Sequence, residues 1–278
     1  MSTCRRKLAE HYRRTTAAQT SVWGGTTVYL DQIYCRLSWV KEERTPAGSL
    51  QSELFHYTDL LNEDKNGFRS KRIVVQGPPG IGKSTFVKKV AREWSAVVDE
   101  SVIEKHKGAL RKFELALIIN LREVATFRNL RDVIKGSRIF SVEDRPLTEQ
   151  LLSYIATNQE KVLFVFDGYD EYRPRHDSEI FEIFQGNKLK DCCVMITTRT
   201  SVRDELVAHA DTCAEITGFN AEYRTVFINR ILGCKTDAQA LMDYIAQEDL
   251  EDLARVPLLL LFLCTLWKKA NFKSQGWI

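Results

Sequence analysis

Eight consecutive residues, Gly77-Pro78-Pro79-Gly80-Ile81-Gly82-Lys83-Ser84, carry the spacing G-x-x-x-x-G-K-[ST]. Glycines at these positions let successive backbone N–H groups turn inward onto phosphate oxygens, where side chains would obstruct. A helix opening at the same point adds its positive dipole end. Lys83 is then placed to reach the β and γ phosphates, the Ser84 hydroxyl to ligate Mg²⁺, and Thr85 to make a further phosphate contact. A second element is the apolar run Val162–Phe166, which ends in the carboxylate Asp167, a candidate Mg²⁺ holder directly or through water. Asp170 and Glu171 follow within one short loop, and either could orient an attacking water. Arg173 and Arg175 come next, so a solvated acidic turn would explain the same residues. Arg199 closes the run Val194–Thr198, where it could neutralise charge during phosphoryl transfer or serve as a surface charge. The segment Asn187-Lys188-Leu189-Lys190-Asp191 misses the guanine-reading Asn-Lys-x-Asp by one residue and precedes a strand pattern, so ATP and ADP are the expected nucleotides.

These residues need strands that end at one level and a helix that starts there. The apolar runs Arg72–Gln76, Leu115–Asn120, Val162–Phe166, Val194–Thr197 and Cys213–Ile216 alternate with helical patterns. One such helix carries Phe86, Val87, Val90, Ala91 and Trp94, and another Leu147, Leu151, Leu152 and Ile155. Near-continuous apolar strands separated by helices predict an α/β fold with a parallel sheet covered on both faces.

After Gly218 the pattern is helical. Asn220 is placed to cap a helix that Gly233 ends, Thr236 with Gln239 forms a capping-box pattern, and Pro257 suits the first turn of a last helix. Residues 1–20 predict a basic helix with Leu8 and Tyr12 on one face, and residues 41–70 a tether with one short amphipathic segment. The expected division is therefore 1–70 for the N-terminal helix and linker, 71–218 for the α/β domain and 219–278 for a small helical domain.

The chain has 278 residues, 44% of them hydrophobic and 28% charged, enough for about two domains. The net charge is +3, but the first twenty residues carry +4, which leaves a near-neutral body and makes nucleic acid an unfavoured partner. Seven cysteines form no C-x-x-C pair, which excludes a zinc ribbon and reads as buried thiols in a reduced compartment. No apolar segment follows the basic start, as a signal peptide would require. Val256–Trp267 is about half the length of a membrane span and predicts a buried helix. The expected location is the cytoplasm.

Taken together, these residues resemble the NACHT module of the NLR (nucleotide-binding, leucine-rich-repeat) innate-immune receptors, within the STAND class of P-loop NTPases. Gly77–Thr85 is similar to the family's phosphate loop, and Phe166-Asp167-Gly168-Tyr169-Asp170-Glu171 to its extended acidic motif. Ile196-Thr197-Thr198-Arg199 resembles its sensor strand, with Thr200 where the family usually has proline. Glu215–Phe219 resembles the turn into the helical domain. Val256-Pro257-Leu258 resembles the motif whose proline packs on nucleotide, and Asp31–Leu37 the segment that borders adenine. The resemblance implies a five-stranded parallel sheet in the order 5-1-4-3-2, an AAA+/STAND-like core with an N-terminal extension, and ATP/ADP and Mg²⁺ as cofactors. It further implies adenine contacts at Tyr34 and Cys35, although a docking strand would equally place them there, and a nucleotide contact at Pro257.

In function, the resemblance implies a nucleotide-dependent switch that self-associates through the module and hydrolyses ATP slowly to reset. The family continues with a winged helix bearing a nucleotide-binding histidine. No histidine here (11, 56, 106, 176 or 209) is placed to replace it, so the expectation is a module truncated after its first helical domain. An AAA+-like ATPase acting on nucleic acid or protein clients, a small metabolite kinase, and an inert or regulatory fragment are the alternatives.

Overall fold

The computed structural model describes residues 1–16, 18–20, 27–29, 34–45, 48–54, 56–63, 67–99, 108–141, 144 and 146–274. The five apolar runs become strands β5 (Arg72–Gln76), β6 (Leu115–Asn120), β7 (Val162–Asp167), β8 (Cys193–Thr198) and β9 (Thr212–Gly218). Every residue of β5, β7 and β8 is buried, which is why these strands read as runs and not as alternations. They pair in parallel in the spatial order β9-β5-β8-β7-β6. Numbered within this set, that order is 5-1-4-3-2.

The sheet does not stop at five strands. β3 (Ser38–Thr45) and β4 (Gly48–Leu54) form an antiparallel hairpin whose first strand pairs antiparallel with β9, giving seven strands in the order β4-β3-β9-β5-β8-β7-β6. This corrects the first part of the tether expected over residues 41–70, up to Leu54, while Leu60 and Leu61 of its amphipathic segment are buried. The strand was masked by its charges: Lys41, Glu42, Glu43 and Arg44 dominate β3, while Trp39 alone supplies a large buried ring. Trp39 meets Phe86 edge-on with ring centroids 4.7 Å apart, and that contact seats the hairpin on the core. A separate two-stranded pair joins β1 (Ala18–Thr20) and β2 (Thr27–Tyr29).

Helix α1 (Ser2–Thr16) buries Cys4, Leu8, Ala9 and Tyr12. It lies along the β6 edge of the sheet, where the Tyr12 hydroxyl donates to the Ala116 carbonyl at 3.0 Å and accepts from the Ile118 N–H at 2.9 Å. Two of its basic residues are tied to the α/β domain, Lys7 to Asp144 at 2.6 Å and Arg13 to Asp99. Helix α2 (Lys83–Val98) follows β5 and buries Phe86, Val87, Val90, Ala91 and Trp94, the face that the sequence spacing predicts. The remaining cover comes from α3 (Gly108–Arg111), α4 (Leu130–Gly136), α5 (Pro146–Thr157), α6 (Glu179–Gln185) and α7 (Arg203–Val207). Cys192 and Cys193 are buried, and burial pushes both thiols up to about 12, so they are inert.

The chain then runs through α8 (Ala221–Leu232), α9 (Lys235–Gln247), α10 (Glu251–Arg255) and α11 (Pro257–Ser274). Asn220 caps α8 by accepting from the Tyr223 N–H at 2.8 Å, and Gly233 ends it at φ 71°. The Thr236–Gln239 capping box does not form. The Gly233–Cys234 turn is tight enough that α9 opens at Lys235, so Thr236 is already helical. The expected buried helix over Val256–Trp267 is only half buried: Leu260 and Cys264 are fully enclosed, while Leu266 is 63% exposed. An apolar run with no polar face carries no signal for which side packs. No helix among the described residues is long and apolar enough to cross a membrane.

Candidate functional site

The phosphate loop leaves β5 at Gly77 and enters α2 at Lys83. Gly80 at φ 75° and Gly82 at φ 105° hold left-handed conformations that an L side chain adopts only with strain. The glycines are also where three distant segments close on the loop. A Cβ on Gly77 would stand 3.1 Å from the Ile216 carbonyl oxygen of β9, one on Gly80 3.1 Å from Leu258 Cβ, and one on Gly82 3.1 Å from Leu37 Cδ1. Lys83 Nζ donates to the Gly77 and Pro78 carbonyls at 2.6 and 3.1 Å. Burial lowers the Lys83 pKa, and the carboxylate of Asp170 opposes the shift.

Asp167 ends β7 and is buried. Its Oδ1 accepts from the Thr197 hydroxyl of β8 at 2.5 Å, and the Thr197 oxygen accepts from the Gly168 N–H at 2.9 Å. Thr197 therefore fixes the carboxylate and the start of the acidic loop together. Arg199 engages Asp170 twice, through Nε to Oδ2 at 2.8 Å and through its backbone N–H to Oδ1 at 3.2 Å. Glu171 is held more loosely, 3.8 Å from Arg199 and 3.3 Å from Arg122. The acidic pair is thus divided. The Asp170 side chain is 10% exposed under Arg199, and that of Glu171 is 36% exposed toward solvent.

A cavity of 340 Å³ runs from these groups across the loop. One end is lined by residues 79–85 of the loop together with Asp167, Asp170, Glu171 and Arg199. The rest of the lining is largely apolar, with Tyr34, Cys35 and Leu37 from the segment before β3 and Phe219, Phe227, Pro257, Leu258 and Leu261 from the segment after β9. Gly77 and Pro78 stand behind the lining, with their carbonyls on Lys83.

The NACHT domain family matches residues 71–234, more than half of the chain. The chain belongs to the NACHT domain family. Among curated proteins it is similar to "NLR family CARD domain-containing protein 4" of Xenopus tropicalis, 26% identical over 196 residues that cover 69% of this chain and 18% of that protein. It is also similar to "NACHT, LRR and PYD domains-containing protein 6" of Homo sapiens, 24% identical over 249 residues that cover 82% of this chain and 26% of that protein. The chain spans about a fifth of the length of the curated relatives it matches. Among solved structures, a single-substitution variant of RuvB from Thermotoga maritima aligns at a TM-score of 0.39 and 11% identity, over 74% of this chain and 57% of that one.

In this NACHT module the helical part is stitched directly to the phosphate loop. The Leu258 N–H, near the start of α11, donates to the Gly80 carbonyl at 3.3 Å, so the loop caps the helix. Nearby the Phe219 N–H donates to the Arg255 carbonyl at 2.8 Å, and a Cβ on Gly218 would stand 2.3 Å from that same oxygen. Ser84 and Asp167 line one cavity and offer a hydroxyl and a carboxylate, hard oxygen donors that suit a Mg²⁺ ion sharing its remaining positions with phosphate and water. Of the segment Asp31–Leu37, residues 31–33 lie outside the described residues.

Sequence reasoning placed Tyr34, Cys35 and Pro257 here through the family resemblance, and all three line the cavity. It gave no site role to Phe219, Phe227 and Leu261, which also line the cavity and whose apolar side chains carry no sign separating a ligand wall from a core. It also left Thr197 without a role, although a polar residue at 0% exposure in a strand beside Asp167 is the type of signal that marks a positioning contact.

Proposed function

We propose that this NACHT module binds ATP and ADP with Mg²⁺ in the cavity. It acts as a nucleotide-dependent switch for self-association in innate-immune-type signalling in the cytoplasm, with slow ATP hydrolysis as the reset. The reading rests on one observation above the others: a single cavity is walled at its phosphate end by the sheet's strand ends and at its apolar end by the helical part. A ligand that fills it touches both parts, so ATP and ADP can bias how they pack. Phosphates belong at the loop, where Lys83 exchanges its two carbonyl partners for phosphate oxygens. Mg²⁺, held by Ser84 and Asp167, would draw negative charge off the phosphates. Thr197 keeps the Asp167 carboxylate aimed at that position. Glu171, the more exposed acid, orients water, while Asp170 holds Arg199 beside the terminal phosphate.

The test is nucleotide titration of the purified chain, coupled to size-exclusion light scattering. ATP and ADP bind to the wild-type chain, Lys83→Ala abolishes binding, and Glu171→Gln binds ATP normally but turns it over more slowly. Unchanged nucleotide affinity in Lys83→Ala would overturn the assignment.

A further inference from the structure

The apolar end of the cavity has no contiguous motif, and the means by which its Tyr34–Cys35 wall is held is a separate question from the phosphate loop. Residues 34–37 belong to no helix or strand. A segment of this kind stays in place only through contacts made by its neighbours. Two such contacts involve cations from different elements. Arg230, near the end of α8, donates from Nη1 to the Tyr34 carbonyl at 2.6 Å and lies 3.6 Å from Cys35 Sγ. Lys89 of α2 sits over the Tyr34 ring with Nζ 5.3 Å from the centroid, and its ammonium is paired to the buried Glu93 at 3.3 Å. Glu93 in turn accepts from the Tyr57 hydroxyl.

We infer that Arg230 is a positioning residue for the base half of the nucleotide site, clamping the Tyr34–Cys35 stretch onto the helical part so that a purine can pack against the apolar lining that the two supply together. The inference rests on the nucleotide-binding function proposed above and adds to it the residue that sets base affinity. The chemistry explains why an arginine suits the position. Its guanidinium stays charged and presents several donors in a rigid plane, so one group reaches a carbonyl and a thiol of consecutive residues. Arg230 is itself exposed, so it contributes little to the core, and its bond to Tyr34 spans 196 residues of sequence. A surface arginine held to a distant loop carbonyl that backs a ligand cavity is a contact whose loss moves the wall and leaves the fold intact.

The clamp makes the two halves of the site separable by ligand. Mg-ATP uses both halves, whereas inorganic tripolyphosphate with Mg²⁺ uses only the phosphate half. Arg230→Ala should weaken Mg-ATP roughly tenfold, the worth of one charge-assisted hydrogen bond, and leave tripolyphosphate affinity unchanged in a chain that still unfolds cooperatively. Arg230→Lys, which can still place one donor near the Tyr34 carbonyl, should recover part of the loss. Lys83→Ala should weaken both ligands and serves as the control for the phosphate half. An Arg230→Ala chain that keeps wild-type ATP affinity would overturn the clamp, and so would one that loses ATP and tripolyphosphate equally. If the wild-type chain binds tripolyphosphate but gains nothing from the adenosine moiety of ATP, the base half is not a base site and the clamp fails alone. If it binds neither ligand, the nucleotide reading itself fails.

Discussion

The two ends of the cavity are built on opposite principles. The phosphate end is local. Nine consecutive residues, Gly77–Thr85, supply backbone, lysine and hydroxyl, and the strand ends of β7 and β8 add Asp167 and Arg199 from the same parallel sheet. Its chemistry is charge and directed hydrogen bonds, and its geometry follows from covalent connectivity. The apolar end, proposed above to take the base, is assembled from three segments, around Tyr34, Phe219–Arg230 and Pro257–Leu261, that meet only in the folded chain. Its chemistry is apolar contact, and its geometry follows from packing. The difference teaches where regulation can enter. In the function proposed above, the local end sets what class of ligand binds, whereas the assembled end would respond to whether the helical part is docked.

The contrast can be broken at several points. The largest effect belongs to Lys83→Ala, because a half-buried cation placed to bridge phosphates would make more than one charge-assisted bond. A loss of about a hundredfold or more is expected for ATP and tripolyphosphate alike, by titration calorimetry.

Next is Gly80→Ala, which acts on both ends at once. A side chain at φ 75° costs about 1–2 kcal/mol of backbone strain. It also presses on Leu258 at 3.1 Å, where the helical part meets the loop. A drop of roughly 2–8 °C in melting temperature, together with weaker ATP binding, is the expected outcome in a thermal scan with and without nucleotide. Unchanged stability would mean that the seam between the two ends is loose.

pH separates the ends more gently. Burial holds the Lys83 pKa below that of an ordinary lysine, whereas bound phosphate favours the charged ammonium. Binding therefore takes up a proton wherever free Lys83 is partly neutral, and ATP affinity should fall as pH rises through that lowered pKa. Burial pushes the Tyr34 hydroxyl and the Cys35 thiol the other way, which favours their protonated, neutral forms. The alkaline slope should appear with tripolyphosphate too and vanish in Lys83→Ala. The smallest effect is Lys89→Met, which removes the cation over the Tyr34 ring. A two- to fivefold loss for ATP, on the order of one exposed cation–π contact of about 0.5–1 kcal/mol, with none for tripolyphosphate, would place Lys89 on the base side.

The same division explains what could be read from the sequence. Buried parallel strands announce themselves as apolar runs, so β5 to β9 were legible, as were the loop, Asp167 and Arg199, whereas the order of the strands came only through resemblance to the family. The β3–β4 hairpin was hidden because a strand added at a sheet edge needs only one anchor, Trp39, and can be charged elsewhere. The base wall was hidden because Phe227 and Leu261 obey helical spacing whether they face a ligand or a core. Arg230 was hidden because nothing local distinguishes it from any exposed arginine on a helix. Tyr34, Cys35 and Pro257 were reachable only through resemblance to the family.

The Tyr12 hydroxyl has a consequence for how copies of the module can meet. β6 is the last strand on its side of the sheet, and its outward carbonyl at Ala116 and N–H at Ile118 are both taken by one side chain from α1. A neighbouring chain cannot continue the backbone ladder there while that oxygen remains in place. On this flank α1 therefore blunts the sheet edge, which protects it from the strand-to-strand templating that leads to fibres.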